Sequence, residues 1–287
     1  MHPQLIANYT CQTGEGPLWH PDEKQLYWLD IPPGKLFRYN PSTETHEECF
    51  NLEGNSVGGF TIQADGTLLL FMAKGAVKVW RNGQFETIVE DIPDERETRF
   101  NDVIADPAGR VFCGTMPATD RPGRLYRLDT DGSIHQILDG IGCSNGMGFT
   151  PDRKQMYYTD SGAKTIYLFD YDESTGALTN QREFLRTPDD EGIPDGMTVD
   201  SEGYIWTAKW DGYALVRYTP DATEDQRISF ETKKVSCVTF AGDDLTDMYI
   251  TTAGGHDPDE NGKDAGALFH LNIGIKGAPE FRSKIKL

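Results

Sequence analysis

Residues 143–154, CSNGMGFTPDRK, run from a polar turn through a short strand of small and apolar residues to a second turn bearing Pro151. Five other stretches have the same form: GEGPLWHPDEK (14–24), SVGGFTIQADG (56–66), RFNDVIADPAG (99–109), IPDGMTVDSEG (193–203) and VSCVTFAGDDL (235–245). Aligned on the turn residues Pro21, Ala64, Pro107, Pro151, Ser201 and Gly242, the position six residues earlier holds Glu15, Gly58, Asn101, Asn145, Asp195 and Ser236. The repeat therefore carries a phased polar position as well as a phased turn.

Each turn is followed by a β-rich run, such as TLLLFMAKGAVKVW (67–80) or YIWTAKWDGYALVRYTPD (204–221), and then by a weaker outer strand. Leu26, Leu68, Val111, Met156, Tyr204 and Met248 open the second strand of successive units, 42 to 48 residues apart. That is the period of four-stranded propeller blades. A single such sheet exposes two apolar faces, and six arranged radially bury them against one another. Gly, Asp and Pro turns interrupt the chain too often for helical solenoid repeats. The expected fold is all-β, a six-bladed β-propeller with four-stranded antiparallel blades, and residues 1–287 form a single domain. The N-terminal QLIANYT (4–10) is expected to pair into the last blade and remove an open edge.

Composition narrows the function. Hydrophobic residues make up 37% of the chain, enough for a sizeable core, and the net charge is −19. Such a charge repels nucleic-acid phosphates and anionic membranes, so neither is an expected partner. The five cysteines are odd in number and lack CxxC spacing, which suits reduced thiols in a cytoplasmic protein. No apolar run approaches the ~20 residues of a membrane span, and MHPQLIANYT has no signal-peptide pattern. The state expected is a monomer or weak homo-oligomer.

In a propeller the innermost strands line the central channel, so residues at the same phase converge at one mouth. Glu15, Asn101, Asn145 and Asp195, with Gly58 and Ser236 completing the ring, bring carboxylates, amides and a hydroxyl together without imidazole or thiolate. Hard oxygen donors suit one divalent cation, Ca2+ first, with Mg2+, Mn2+, Zn2+ or Fe2+ as alternatives.

The motifs GEGPLW, RFND, SNGMGF and IPDGM, with FDYDESTG (169–176) and DSEGYIWTA (200–208), resemble the senescence marker protein (regucalcin)/gluconolactonase family of six-bladed propeller lactonases, over essentially the whole chain. The resemblance implies one divalent cation and hydrolysis of sugar-acid lactones. By motif it implies Glu15, Asn145 and Asp195 as metal ligands, Arg99 and Asn101 as substrate contacts, and Asp195 also as the catalytic acid/base. Where mammalian members carry glutamates after GTM, this chain has Pro117-Ala118-Thr119-Asp120; Asp120 is the candidate replacement contact. A phosphotriesterase-like Ca2+-dependent hydrolase and a non-catalytic Ca2+-binding propeller are the competing functions.

Two further patterns are set aside. Gly54–Gly58 and Gly142–Gly146 match G-x-S-x-G, but a strand rather than a helix is expected after each. Asp257–Gly262 begins like an EF-hand loop, with Leu268 where the bidentate Glu belongs. Trp210 and Tyr213 are the aromatic residues expected to reach the substrate funnel.

Overall fold

Six four-stranded antiparallel sheets follow one another around a central channel; the structure, a computed structural model, describes residues 2–286. The protein is a six-bladed β-propeller. Its innermost strands are Gly14–His20, Val57–Ile62, Phe100–Ala105, Ser144–Phe149, Ile193–Val199 and Val235–Ala241. Five blades are built from consecutive strands. The sixth takes its outer strand, Gln4–Asn8, from the N-terminus, which pairs antiparallel with Ala267–Asn272. This closure satisfies the backbone groups of what would be an open edge, as the sequence leads one to expect.

The core is divided into six apolar clusters, each between two neighbouring blades. The second strand of blade 1 shows how alternation produces this. Leu26 and Trp28 pack towards Tyr249 and Leu268 of blade 6, while Tyr27 and Leu29 pack towards Phe60, Leu68 and Leu70 of blade 2. A strand buried on both faces reads as a continuous apolar run rather than an alternating one, which accounts for LLLFM at Leu68–Met72, fully buried throughout.

Inner strands approach closely near the channel mouth. A Cβ on Gly146 would stand 2.6 Å from the carbonyl oxygen of Asp195 in the next blade, so this position requires glycine.

The segment after Asn272 is not legible as part of any repeat, and the structure gives it a distinct role. It crosses the channel end opposite the phased residues. The Ser201 amide donates to Lys276 O at 2.8 Å, Ser283 exchanges backbone bonds with Ile62 and Ala64, and the Lys284 amide donates to Gly109 O at 2.8 Å. Ile285 is buried in the cluster between blades 2 and 3. This strap therefore ties together blades that are remote in sequence. Ile285→Ala is expected to cost about 2–4 kcal/mol from the lost side chain and residual cavity, read as a lower thermal midpoint with unchanged KM at the far end of the channel.

Among the described residues the helical turns are Pro93–Glu95 and Pro258–Asn261, and no helix is long and apolar enough to cross a membrane.

Candidate metal and substrate site

In every blade the pairing of the innermost and second strands slips near its start. The irregularities fall between Glu15 and Leu18, Val57 and Gly59, Phe100 and Val103, Ser144 and Met147, Pro194 and Met197, and Val235 and Cys237. Glu15 borders its slip, and the other five phased residues lie inside theirs. A β-bulge breaks strict in/out alternation and re-aims a side chain, here turning Glu15, Asn101, Asn145 and Asp195 towards the channel. The phased position is thus a repeated bulge.

Glu15, Asn101, Asn145, Asp195 and Arg99 line one cavity of about 380 Å³ at the channel mouth. Glu15, Asn101, Asn145 and Asp195 are only 5–8% exposed. Gly58 and Ser236 are not on its wall; the Ser236 hydroxyl donates to Gly14 O at 2.5 Å and ties blade 6 to blade 1.

The two asparagines are held differently. Asn145 Nδ2 donates to Ser161 Oγ at 3.0 Å, and Ser161 Oγ donates to Pro194 O at 2.6 Å. This chain engages one N–H of the amide, while among the described residues no side chain or backbone group donates to the Asn145 oxygen. Asn101 is held at both ends: Nδ2 donates to Ser144 O at 2.8 Å, and Oδ1 accepts from Arg99 Nη1 at 2.7 Å. The oxygen of Asn145 is therefore the better placed to ligate, whereas Asn101 is bound into a pair with Arg99. Arg99 Nη1 also donates to Phe100 O at 2.9 Å, leaving the rest of its fork for a ligand. Arg99 is half-buried on the cavity wall, not a free surface charge beside Glu97.

Electrostatics set this cavity apart. Burial, then the charges of Asp195 and Asp102, push the Glu15 carboxyl well above its ordinary range, against the Gly16 amide and Arg99. Burial and Asp102 push Asp195 up likewise, against Asn145, Arg99 and Lys234. Burial raises Asp102 to about 7, with Arg99 opposing. Three carboxylates sharing one channel repel one another, and a cation would reverse that repulsion. Among the described residues no three Asp, Glu, His or Cys side chains cluster as a ligand group by themselves. The donor set that fits a cation is mixed: two carboxylates, Glu15 and Asp195, with the amide oxygen of Asn145. Oxygen donors with only two formal charges fit a hard divalent ion that keeps water or substrate as further ligands.

Asp102 is the residue that sequence reasoning passed over. It follows Asn101 in RFND, and strict alternation would turn it away from the axis. The bulge between Phe100 and Val103 brings it to the channel, where it lines a smaller cavity below the first. Asp120 stands apart: it is exposed on the loop after Met116 and is not on the cavity wall, and Thr119 beside it is also exposed. The remaining wall is formed instead by Met116, Cys143, Ile193 and Trp210, with Thr13, Ser161 and Gly162. Tyr213 is 46% exposed and lies off the cavity. Cys143, raised to about 12 by burial, stays a thiol at neutral pH and offers no nucleophile.

Neither discounted motif forms a catalytic element. Ser144 is buried at the start of a strand, and its hydroxyl oxygen accepts from the Tyr158 hydroxyl at 2.8 Å. Pro258–Asn261 is a short 3-10 turn in which Asn261 Nδ2 donates to Gly254 O at 2.9 Å.

Fold and site together define a class: a six-bladed propeller with an oxygen-rich pocket, backed by an arginine, at one mouth of its channel. Residues 13–254 match the SMP-30/Gluconolactonase/LRE-like region. The chain is 49% identical over 289 residues to pentonolactonase XacC of Haloferax volcanii, with 98% of each chain covered. It is 34% identical over 294 residues to the regucalcin of Danio rerio, with 97% of each covered. The structure of a luciferin-regenerating enzyme superposes with a TM-score of 0.88 at 28% identity, covering 99% of this chain and 100% of that one. The chain belongs to the SMP-30/gluconolactonase family.

Proposed function

We propose that the chain is a cation-dependent lactonase that opens sugar-acid lactones to aldonic acids, with pentonolactones as the first candidates. The observation that carries this is the convergence of Glu15, Asn145 and Asp195 with the Arg99–Asn101 pair in one buried cavity. Full-length similarity to a pentonolactonase supports the same substrate class, and a cavity of about 380 Å³ suits a small cyclic ester.

A lactone is a strained cis ester, so its opening demands less than peptide cleavage. Glu15, Asn145 and Asp195 would hold a divalent ion, Ca2+ first by the hardness of the donors. When bound, such an ion supplies Lewis-acid polarisation of the lactone carbonyl. Arg99 and Asn101 orient the substrate through hydrogen bonds to its oxygens. Asp195 takes a proton from the attacking water as its oxygen bonds to the carbonyl carbon. The same carboxyl then returns that proton to the ring oxygen as the C–O bond breaks. The hydroxy acid formed loses its own proton to solvent.

We place the chain in the cytoplasm, as one propeller domain acting as a monomer or weak homo-oligomer. Its five free cysteines and net charge of −19 support a reducing compartment and a partner that is neither nucleic acid nor membrane. The test is an initial-rate pH-indicator assay on xylonolactone, arabinonolactone, gluconolactone, galactonolactone and paraoxon, with spontaneous hydrolysis subtracted. Turnover of the five-carbon lactones above the others is expected; hydrolysis of paraoxon alone would overturn the reading.

A further inference from the structure

The residues lining the cavity are of two kinds: the polar wall residues Glu15, Arg99, Asn101, Asn145 and Asp195, with Thr13 and Ser161, and the apolar wall residues Met116, Cys143, Ile193 and Trp210. A sugar lactone is divided in the same way, with hydroxyls and a carbonyl around its edge and C–H bonds on its ring faces. The polar wall is accounted for by the proposed chemistry. The apolar wall is not.

Trp210 is the large member of that wall, and three features hold it in place. It ends the strand Ile205–Trp210 and lies directly opposite Ile193, two residues before Asp195, in the regular pairing that precedes the bulge carrying the carboxylate. Lys234, from the start of blade 6, places Nζ 4.6 Å from the centroid of the Trp210 ring. Asp211, held with φ +60° in the turn that follows Trp210, holds that Nζ at 2.5 Å from Oδ1. One face of the ring is thus occupied by a cation, which the π-system attracts, and Trp210 also lines the cavity.

We propose that Trp210 is the platform against which the C–H face of the lactone ring packs, and that Lys234 and Asp211 are positioning residues that fix its plane. This rests on the lactonase reading above. Aromatic packing of this kind acts equally on the bound substrate and the transition state, so it governs KM more than kcat. It also fills the wall with bulk. The platform is therefore expected to favour flat five-carbon lactones over those with an additional exocyclic carbon.

The test compares wild type with Trp210→Leu, Trp210→Phe and Lys234→Met, using xylonolactone and gluconolactone as substrates and xylonate as a non-reacting probe of tryptophan fluorescence. Trp210→Leu is expected to raise KM for xylonolactone about tenfold with kcat within about twofold, and Trp210→Phe to raise it about threefold. Lys234→Met is expected to raise KM less than Trp210→Leu does. Xylonate should change the fluorescence of wild type but not of Trp210→Phe, a readout independent of turnover and of any general loss of packing. Normal turnover by wild type with an unchanged KM in Trp210→Leu, or a fluorescence response that persists in Trp210→Phe, would overturn the platform alone. A wild type that hydrolyses neither lactone would overturn the lactonase reading, and the platform with it.

Discussion

Asp195→Asn is expected to lower kcat/KM for lactone hydrolysis by about a thousandfold, the range of a lost general base. The swap preserves shape but removes the proton acceptor and one of two formal charges offered to a cation. It should not unfold the protein. The Asp195 charge raises Glu15, and the Asp102 charge raises Asp195, so a neutral amide at 195 relieves repulsion in the cation-free state. The expected signature is thus paired: activity is lost, while the thermal midpoint of the chelated variant at pH 8 equals or exceeds that of chelated wild type. Retained activity would remove Asp195 from the mechanism; lost activity with a strongly lowered midpoint would point to a structural role instead.

Stability should depend on cation and pH together. Without a cation, Glu15, Asp195 and Asp102 have folded-state pKa values raised above their ordinary ones, Asp102 to about 7. Their contribution is fully present below about pH 4 and is lost as pH rises through the raised folded values, for Asp102 about 7. The chelated protein is accordingly expected to lose stability between pH 5 and pH 8. Cation binding requires the ionised carboxylates, so it releases protons and gains affinity with rising pH. At a free concentration 100 times Kd, binding adds about 2.7 kcal/mol, which for a chain of this size shifts the midpoint by about 5 °C. Differential scanning fluorimetry at both pH values should show a larger Ca2+-induced shift at pH 8 than at pH 5. An equal shift at both would mean that other groups hold the ion.

The fold was legible because two periodicities coincide. The turns at Pro21, Ala64, Pro107, Pro151, Ser201 and Gly242 mark the blades, and the doubly buried second strands leave apolar runs that one-sided sheets lack. The site was legible because Glu15, Asn101, Asn145 and Asp195 share one phase with those turns. Its details were less so. Asp102 reaches the channel through a bulge, a local break in pairing that alternation alone does not announce. The loop carrying Asp120 is set by contacts outside the repeat: Arg121, its neighbour, pairs with the buried Glu95 at 2.5 Å. The strap around Ile285 belongs to no blade, so the repeat that disclosed everything else was silent about it. Trp210 could be anticipated as a funnel residue, but its partner Lys234 comes from the next blade, 24 residues later, and only the packing of blade 5 on blade 6 joins them.

Cation dependence is decided by the initial rate of xylonolactone opening by protein stripped with EDTA, exchanged into chelator-free buffer, and then titrated with Ca2+, Mg2+ and Mn2+. The stripped protein is expected to fall at least about a hundredfold below the loaded enzyme, with activity returning as one equivalent of a divalent ion binds. Full turnover by the stripped protein, with no response to any of the three ions, would rule out a cation at Glu15, Asn145 and Asp195 as part of the reaction.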